Sequence, residues 1–444
     1  MNFAQSYPVD GRPSGGESYG ATVAVYANAN FILLNRYFVD ASWRTSGNSV
    51  LGKDRRWQPY WSFGIGWNLH NENFIAGLGW ISTFRLKGSV GYVGSGNFGG
   101  VPAETIYSYS SAYDGYVGAS PSAMGNPMLK SQRTLKWNGG MNLSFLEGRL
   151  DVNLDVYKEV SKDLLMAVSL PSSTGYSSVK YNLGESSNHG YELAVVGQVI
   201  RTRDWGWSIS ANTSHTVNKI LKISNSLKKQ NEENLNDYGS APKILLEEGK
   251  SATALYAVRS AGIDPVSGRE IFIDKEGNYT FNYDPQDKVV VGNTLPKLQG
   301  ALSTAIRWKN LSVFAGFSYT LGADIYNTTR ATKIESINVE QNVDRRAYTE
   351  RWNNVNDVVL YLKPEASSAG RHTERFVERR NELYFSTLNI SYDMNGRWLK
   401  KIGLKRLALG IGFSDIARLS TVKFERGTSY PYMRGYNFTI SPTF

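Results

Sequence analysis

The chain has 444 residues, a net charge of +10 and 41% hydrophobic residues at a mean hydropathy of −0.36. With no run of about 18 apolar residues, it is not a bundle of membrane-crossing helices. Zero Cys removes thiol chemistry, while 43 Gly, 27 Tyr and 11 Trp suit many strands joined by tight turns. The positive charge is compatible with nucleic acid, acidic lipid head groups or anionic substrates, but it is scattered. Two local clusters, Leu399–Arg406 and Arg371–Arg380, stand out. The first precedes a strand and reads as a solvated turn.

The opening MNFAQSYPVDGRPSGG has neither the basic nor the apolar region of a signal peptide. Period-two segments then begin near 19–31 and 36–44. Trp61, Phe63, Ile65 and Trp67 alternate with Ser62, Gly64, Gly66 and Asn68, and Phe84, Leu86, Val90 and Tyr92 with Arg85, Lys87, Ser89 and Gly91. A further segment lies near 136–145. Next come Leu150, Val152, Leu154 and Val156 against Asp151, Asn153 and Asp155. Segments near 190–200, 206–215 and 300–308 come after these. In Leu311–Tyr319 the apolar set is Leu311, Val313, Ala315, Phe317 and Tyr319, with Phe314 the one apolar residue on the polar face. The series ends near 382–392, 404–413 and 433–444. In this last strand Tyr436, Phe438, Ile440, Pro442 and Phe444 oppose Asn437, Thr439, Ser441 and Thr443.

These are about 13 strands, mostly longer than the usual globular strand of about 5–6 residues. Their polar faces are rich in Gly, Ser, Asn and Thr rather than exposed charge, which favours a membrane β-barrel over a soluble β protein. Trp43, Trp61, Trp67, Trp137, Trp207 and Trp308 are expected at strand ends, as an interfacial girdle. Short turns at 145–150, 201–206 and 307–312 alternate with long polar loops near 94–132, 217–296 and 327–379. Short periplasmic turns and long extracellular loops are the pattern of outer-membrane barrels.

Several stretches together resemble the SusC/RagA family of TonB-dependent transporters, along nearly the whole chain. They are NRYFVDASWRTSGNS with RWQPYWSFGIGWNL, LKGSVGYVGSGN, and NPMLKSQRTLKWNGGMNLSFLEGRLDVNLDVYKEVSKDLLMAVSLPSSTGYSS. NLGESSNHGYELAV, AGIDPVSGREIFIDKEGN and FVERRNELYFSTLNISYDM complete the set. The resemblance implies a 22-stranded plugged barrel in the outer membrane of a Bacteroidetes-type Gram-negative bacterium. It further implies nutrient import energised through the TonB system under a SusD-like lipoprotein cap.

The expectation is therefore an all-β fold: a transmembrane antiparallel β-barrel in which residues 1–444 form the C-terminal part. The plug, the TonB-contacting segment and the N-terminal strands are not found in this sequence. Strand 19–31 and the last strand both descend, so their number is odd, and about nine further strands restore 22. Two open edges in hydrocarbon would each leave unpaired backbone groups. The N-terminal portion, as a separate chain or as missing sequence, is thus an expected partner, with outer-membrane lipid. The terminal aromatic strand (Tyr436, Phe438, Ile440, Phe444) is expected to close the barrel, and it resembles the signal read by the insertion machinery.

Other motifs yield to plainer accounts. GSGNFG (Gly94–Gly99) has the glycine spacing of a dinucleotide loop, but the residues after Gly99 lack helical periodicity. Asp264–Asn278 offers Asp264, Asp274 and Glu276, with Lys275 among them, and reads as a β-hairpin rather than a calcium loop. His70, His189, His215 and His372 have no metal spacing. No metal, cofactor, catalytic constellation or nucleic-acid partner is expected. Tyr107, Tyr109, Tyr113 and Tyr116 sit in a long loop, and their flat, hydroxylated rings suit contact with an oligosaccharide or peptide. The plainer account is packing within the loop or against a cap. Two rivals to import stand: a SusC-like barrel kept as a structural or assembly subunit of a larger complex, and a soluble β-rich glycan-binding protein or hydrolase.

Overall fold

The computed structural model describes residues 4–6, 14–15, 20–95, 103–113, 116–170, 172–236, 242, 244–337, 340, 342–363, 371–423 and 434–444. Thirteen strands form one antiparallel sheet in strict chain order. They are β1 (Thr22–Leu33), β2 (Tyr37–Asn48), β3 (Trp57–Asn68), β4 (Ile81–Ser95), β5 (Gln132–Phe145), β6 (Leu150–Lys162) and β7 (Gly184–Arg201). Then come β8 (Trp205–Ile223), β9 (Leu298–Trp308), β10 (Leu311–Tyr326), β11 (Val377–Met394), β12 (Arg406–Ser420) and β13 (Gly435–Thr443). Every alternating segment of the sequence became one of these strands.

Directly opposed residues share a face, so the register sorts the two sides. One row runs Phe145, Leu150, Gly197, Ile209, Thr304, Ala315, Leu388, Phe413, Tyr436. Another runs Trp205, Trp308, Leu311, Tyr392, Leu409, Ile440. This face is apolar and widely exposed, with Phe31 at 62%, Ile65 at 52% and Phe438 at 65%. No described helix is long and apolar enough to cross a membrane, which says nothing of strands.

The girdle differs from expectation in position. Trp43, Trp61 and Trp137 lie inside their strands, because β2, β3 and β5 run past the alternating stretches. Trp61 and Trp67, six residues apart on one face, stand about 20 Å apart along β3. Tyr37–Trp67, Trp80–Phe145 and Trp205–Trp308 stack at the end with short connections.

Connections 34–36, 146–149, 202–204 and 309–310 fall at that end, with left-handed Leu34, Asn35, Leu146, Glu147 and Lys309 making the turns. Connections 96–131, 163–183, 224–297 and 327–376 fall at the other. They are not plain polar loops. β8 continues to Ile223, where Lys219 and Lys222 interrupt the polarity that would reveal a strand. Beyond it lie helix Asn225–Leu235 and a four-stranded sheet of Ala254–Ile263, Glu270–Ile273, Tyr279–Thr280 and Lys288–Asn293. The expected hairpin is thus present: Glu270–Ile273 pairs with Tyr279–Thr280. β1 and β13 each pair on one side only, and both are exposed along their length.

Candidate functional site

On the other face the rows are polar. Lys87, Gly140, Asp155 and Glu192 align across β4 to β7. Lys87 Nζ reaches Asp155 Oδ1 at 3.0 Å across Gly140. A Cβ on Gly140 would lie 2.1 Å from the lysine Cε and 2.5 Å from that oxygen, so the ion pair requires glycine there. One row on, Tyr157 lies across Gly190 and shares a 2.6 Å hydrogen bond with the Thr216 hydroxyl. The next row pairs Lys136 with Glu159 at 2.7 Å and has the Asn218 amide donating to Asn188 Oδ1 at 2.6 Å. Asn218 Oδ1 in turn accepts the Ala252 N–H at 2.7 Å, tying the 224–297 connection to the wall. Lys136, Asp155, Tyr157, Glu192 and Asn218 line a pocket of about 570 Å³, to which Thr253 and Leu295 also contribute. A polar concavity with carboxylates in excess over Lys136 and the Tyr157 ring in its lining can bind a hydrogen-bonding solute.

Above the wall, two distant connections are folded into each other. Ala331, Ile334, Ala347, Tyr361 and Phe376 form a buried core. Val258 N–H donates to the His372 carbonyl at 3.2 Å, and Trp352 Nε1 to the Pro265 carbonyl at 2.8 Å. Arg375 binds Glu270 through two bonds of 2.7 and 2.8 Å and Glu335 through one of 3.0 Å. Arg351 donates to the carbonyls of Ile334, Glu335, Ala347 and Leu362. Burial pushes the Glu335 carboxyl above its ordinary range, with Arg375 pulling it partly back. The guanidinium of Arg375 is held charged: its carboxylate partners outweigh the penalty of burial. In the sequence Arg375 is one member of a basic cluster, and nothing there separates it from its solvated neighbours.

The expected site residues fall in two places. Tyr107, Tyr109 and Tyr113 lie on strand Ile106–Tyr113 and Tyr116 opens its partner Tyr116–Ala123. Tyr107 is exposed, and it stands beside Tyr176 of the 163–183 connection. Burial, then the approach of Tyr107, raises the Tyr176 phenol. The side chains of Tyr109, Tyr113 and Tyr116 lie outside the described residues, as does most of GSGNFG. Tyr436, Phe438 and Ile440 lie on the apolar face of β13, and Phe444 follows it at 77% exposure.

The weaker motifs resolve as turns. Asp264 accepts from Val266 and Ser267, and Asp274 from the backbone and side chain of Asn278, so both carboxylates are spent on loop geometry and sit below the ordinary range. Among the described residues no group of His, Cys, Asp or Glu could hold a metal.

Residues 2–353 match the family model described as TonB dependent receptor-like, beta-barrel. TonB-dependent receptor P39 of Formosa agariphila is 24% identical over 449 residues, covering 89% of this chain and 42% of that protein. TonB-dependent receptor SusC of Bacteroides thetaiotaomicron is 28% identical over 320 residues, covering 69% of this chain and 31% of its own length. The structure of the RagAB peptide transporter superposes with a TM-score of 0.80 at 22% identity, over 94% of this chain and 46% of that one. The chain spans less than half the length of each.

Proposed function

The chain belongs to the TonB-dependent receptor-like β-barrel family, as a SusC-type protein of the outer membrane of Bacteroidetes-type bacteria, and from that premise we propose that it forms the C-terminal wall of a nutrient importer. The observation that carries this reading is the register. One face is apolar from β1 to β13, and the other is predominantly polar, interrupted by single apolar residues such as Phe38 and Phe314. Placed in a bilayer, the first faces lipid and the second a watery lumen.

The edges of β1 and β13 cannot stay open in hydrocarbon, where each unpaired backbone group costs several kcal/mol. An N-terminal barrel portion, on a separate chain or in preceding sequence, supplies the missing strands, the plug and the contact with the TonB system. The ends with long connections are extracellular. They carry the tyrosine hairpin at 107–116 and receive a SusD-like lipoprotein cap. The cargo is an oligosaccharide or a peptide-like solute, the second supported by the likeness to a peptide transporter, and no chemistry is performed on it.

Depleting the chain and measuring uptake of labelled oligosaccharides and oligopeptides tests this. Loss of one uptake class supports import, whereas unchanged uptake with a disrupted envelope complex supports a structural role. On intact cells, protease should cut within the long connections and spare 145–150; the reverse would invert the topology. Closure at β13 predicts that Phe444→Ala lowers the yield of heat-modifiable barrel more than Thr443→Ala, since Thr443 shares the polar face.

A further inference from the structure

Phe314 is the apolar residue that breaks the polar face of β10, and it does not stand alone. Around it, at the end of the wall with short connections, is a pocket of about 490 Å³ lined by Gln198, Arg201, Ser208, Arg307 and Ser391 among others. Arg201, Gly206, Arg307, Ser312 and Ser391 occupy one row across β7 to β11. Among the described residues no carboxylate lines the pocket. Asp204, in the adjoining turn, lies outside it and makes no ion pair with either arginine among the described residues. Arg307 leans on the carbonyls of Thr202 and Arg203 at 3.4 Å each, and the Arg201 side chain has no hydrogen-bond or ion-pair partner among the described residues.

A second feature shows how Arg201 comes to be there. The β7–β8 register shifts between Gln198 and Ile200, so that Ile200 opposes Trp207 on the apolar face and Arg201 opposes Gly206 on the polar one. Without that bulge strict alternation would turn Ile200 into the pocket and Arg201 outward. Bulges re-aim side chains in this way. The opposite end of the same wall has the opposite sign: Asp155, Glu159 and Glu192 there face Lys136.

We propose that this pocket is an oxyanion site, which takes the carboxylate of an organic solute crossing the lumen. The Arg201 and Arg307 guanidinium groups grip the carboxylate as forks, Ser208 and Ser391 supply hydroxyl donors, and Phe314 packs against the solute's carbon body. The proposal rests on the reading that the polar face lines a lumen. A solute entering past a wall with acidic excess would meet two uncompensated arginines last.

Because the chain has no Cys, a single introduced thiol reports one position in the assembled barrel within outer-membrane vesicles. Ser391→Cys and, at the other end, Asn138→Cys are labelled with anionic (sulfonatoethyl) and cationic (trimethylammonioethyl) methanethiosulfonates. The ratio of anionic to cationic rate should be about tenfold higher at Ser391→Cys. It should collapse when Arg201→Gln and Arg307→Gln are added. Phthalate, but not its diamide, should slow labelling of Ser391→Cys only while the arginines are present. Equal ratios at the two positions, or protection by phthalate that ignores the arginines, overturn the oxyanion site. A Ser391→Cys that stays unreactive while Asn138→Cys reacts means that protein fills the pocket, and also overturns it. An unreactive Asn138→Cys would instead refute the lumen reading beneath.

Discussion

The strand wall and the folded unit above it use charge in contrary ways. In the wall, Lys87–Asp155 and Lys136–Glu159 lie half-exposed on the polar face, the first spanning the strand between its partners and the second bridging neighbours, all of them strands that backbone bonds already hold. Such pairs contribute little, about 0–1 kcal/mol. In the unit built from 224–297 and 327–376, Arg375, Glu270 and Glu335 are nearly inaccessible. Arg375 there joins carboxylates that lie 105 and 40 residues away in the chain. Breaking one partner there strands charges without water. The wall is held by its backbone and tolerates changes of charge on its polar face; the unit is held by a few side chains and does not.

The contrast breaks most sharply at Arg375. Arg375→Ala leaves Glu270 and Glu335 uncompensated and should cost about 3–5 kcal/mol within the unit. Limited proteolysis should show 224–297 and 327–376 opening together, while the barrel keeps its heat-modifiable mobility. If only one connection opens, the two are not one unit.

Within the wall the faces should differ. Val152→Arg, on the apolar face, should cost about 2–4 kcal/mol in a urea titration in vesicles, and Asn153→Arg far less. Equal losses would favour a soluble protein with two buried faces.

Gly190→Val should cost about 1–3 kcal/mol by overpacking, because its Cβ would meet the His215 carbonyl at 2.0 Å and the Tyr157 hydroxyl at 2.9 Å. A loss reversed by adding Tyr157→Ala would locate the clash in the ring; persistence would locate it in the backbone.

The smallest expected effect is one of pH. Burial raises the Glu335 carboxyl above its ordinary value of 4.5. A carboxyl that holds its proton more tightly folded than unfolded favours the fold on the acid side and disfavours it as pH climbs through that range. Cleavage within the unit should therefore quicken modestly as pH rises above the ordinary carboxylate range, and Glu335→Gln should flatten the profile.

All thirteen strands were legible in the sequence, since a hydrophobic period of two survives wherever one face meets lipid and the other water. The turns were legible too: Leu146–Gly148 and Lys309–Asn310 lie between alternating runs. Tyr436, Phe438 and Ile440 were placed correctly on the apolar face by counting alone. Tyr107, expected in a long loop, lies on a hairpin strand beside Tyr176, a proximity across 69 residues that no local pattern carries.

The sequence by itself thus determined which residues face which side of the sheet, because facing is a local, alternating property of an extended chain. Tertiary structure decided three things. It buried Arg375 between two carboxylates while leaving Arg371–Arg380 unremarkable as text. It tied the 224–297 connection to the 327–376 connection, with its Ala331–Phe376 core, through Arg375–Glu270, Trp352–Pro265 and Val258–His372. And it inserted a single residue near Val199, which hands Arg201 to the polar face. Each depends on which distant or neighbouring strand a residue meets. Pairing partners and register shifts are set by long-range contacts, to which alternation is blind.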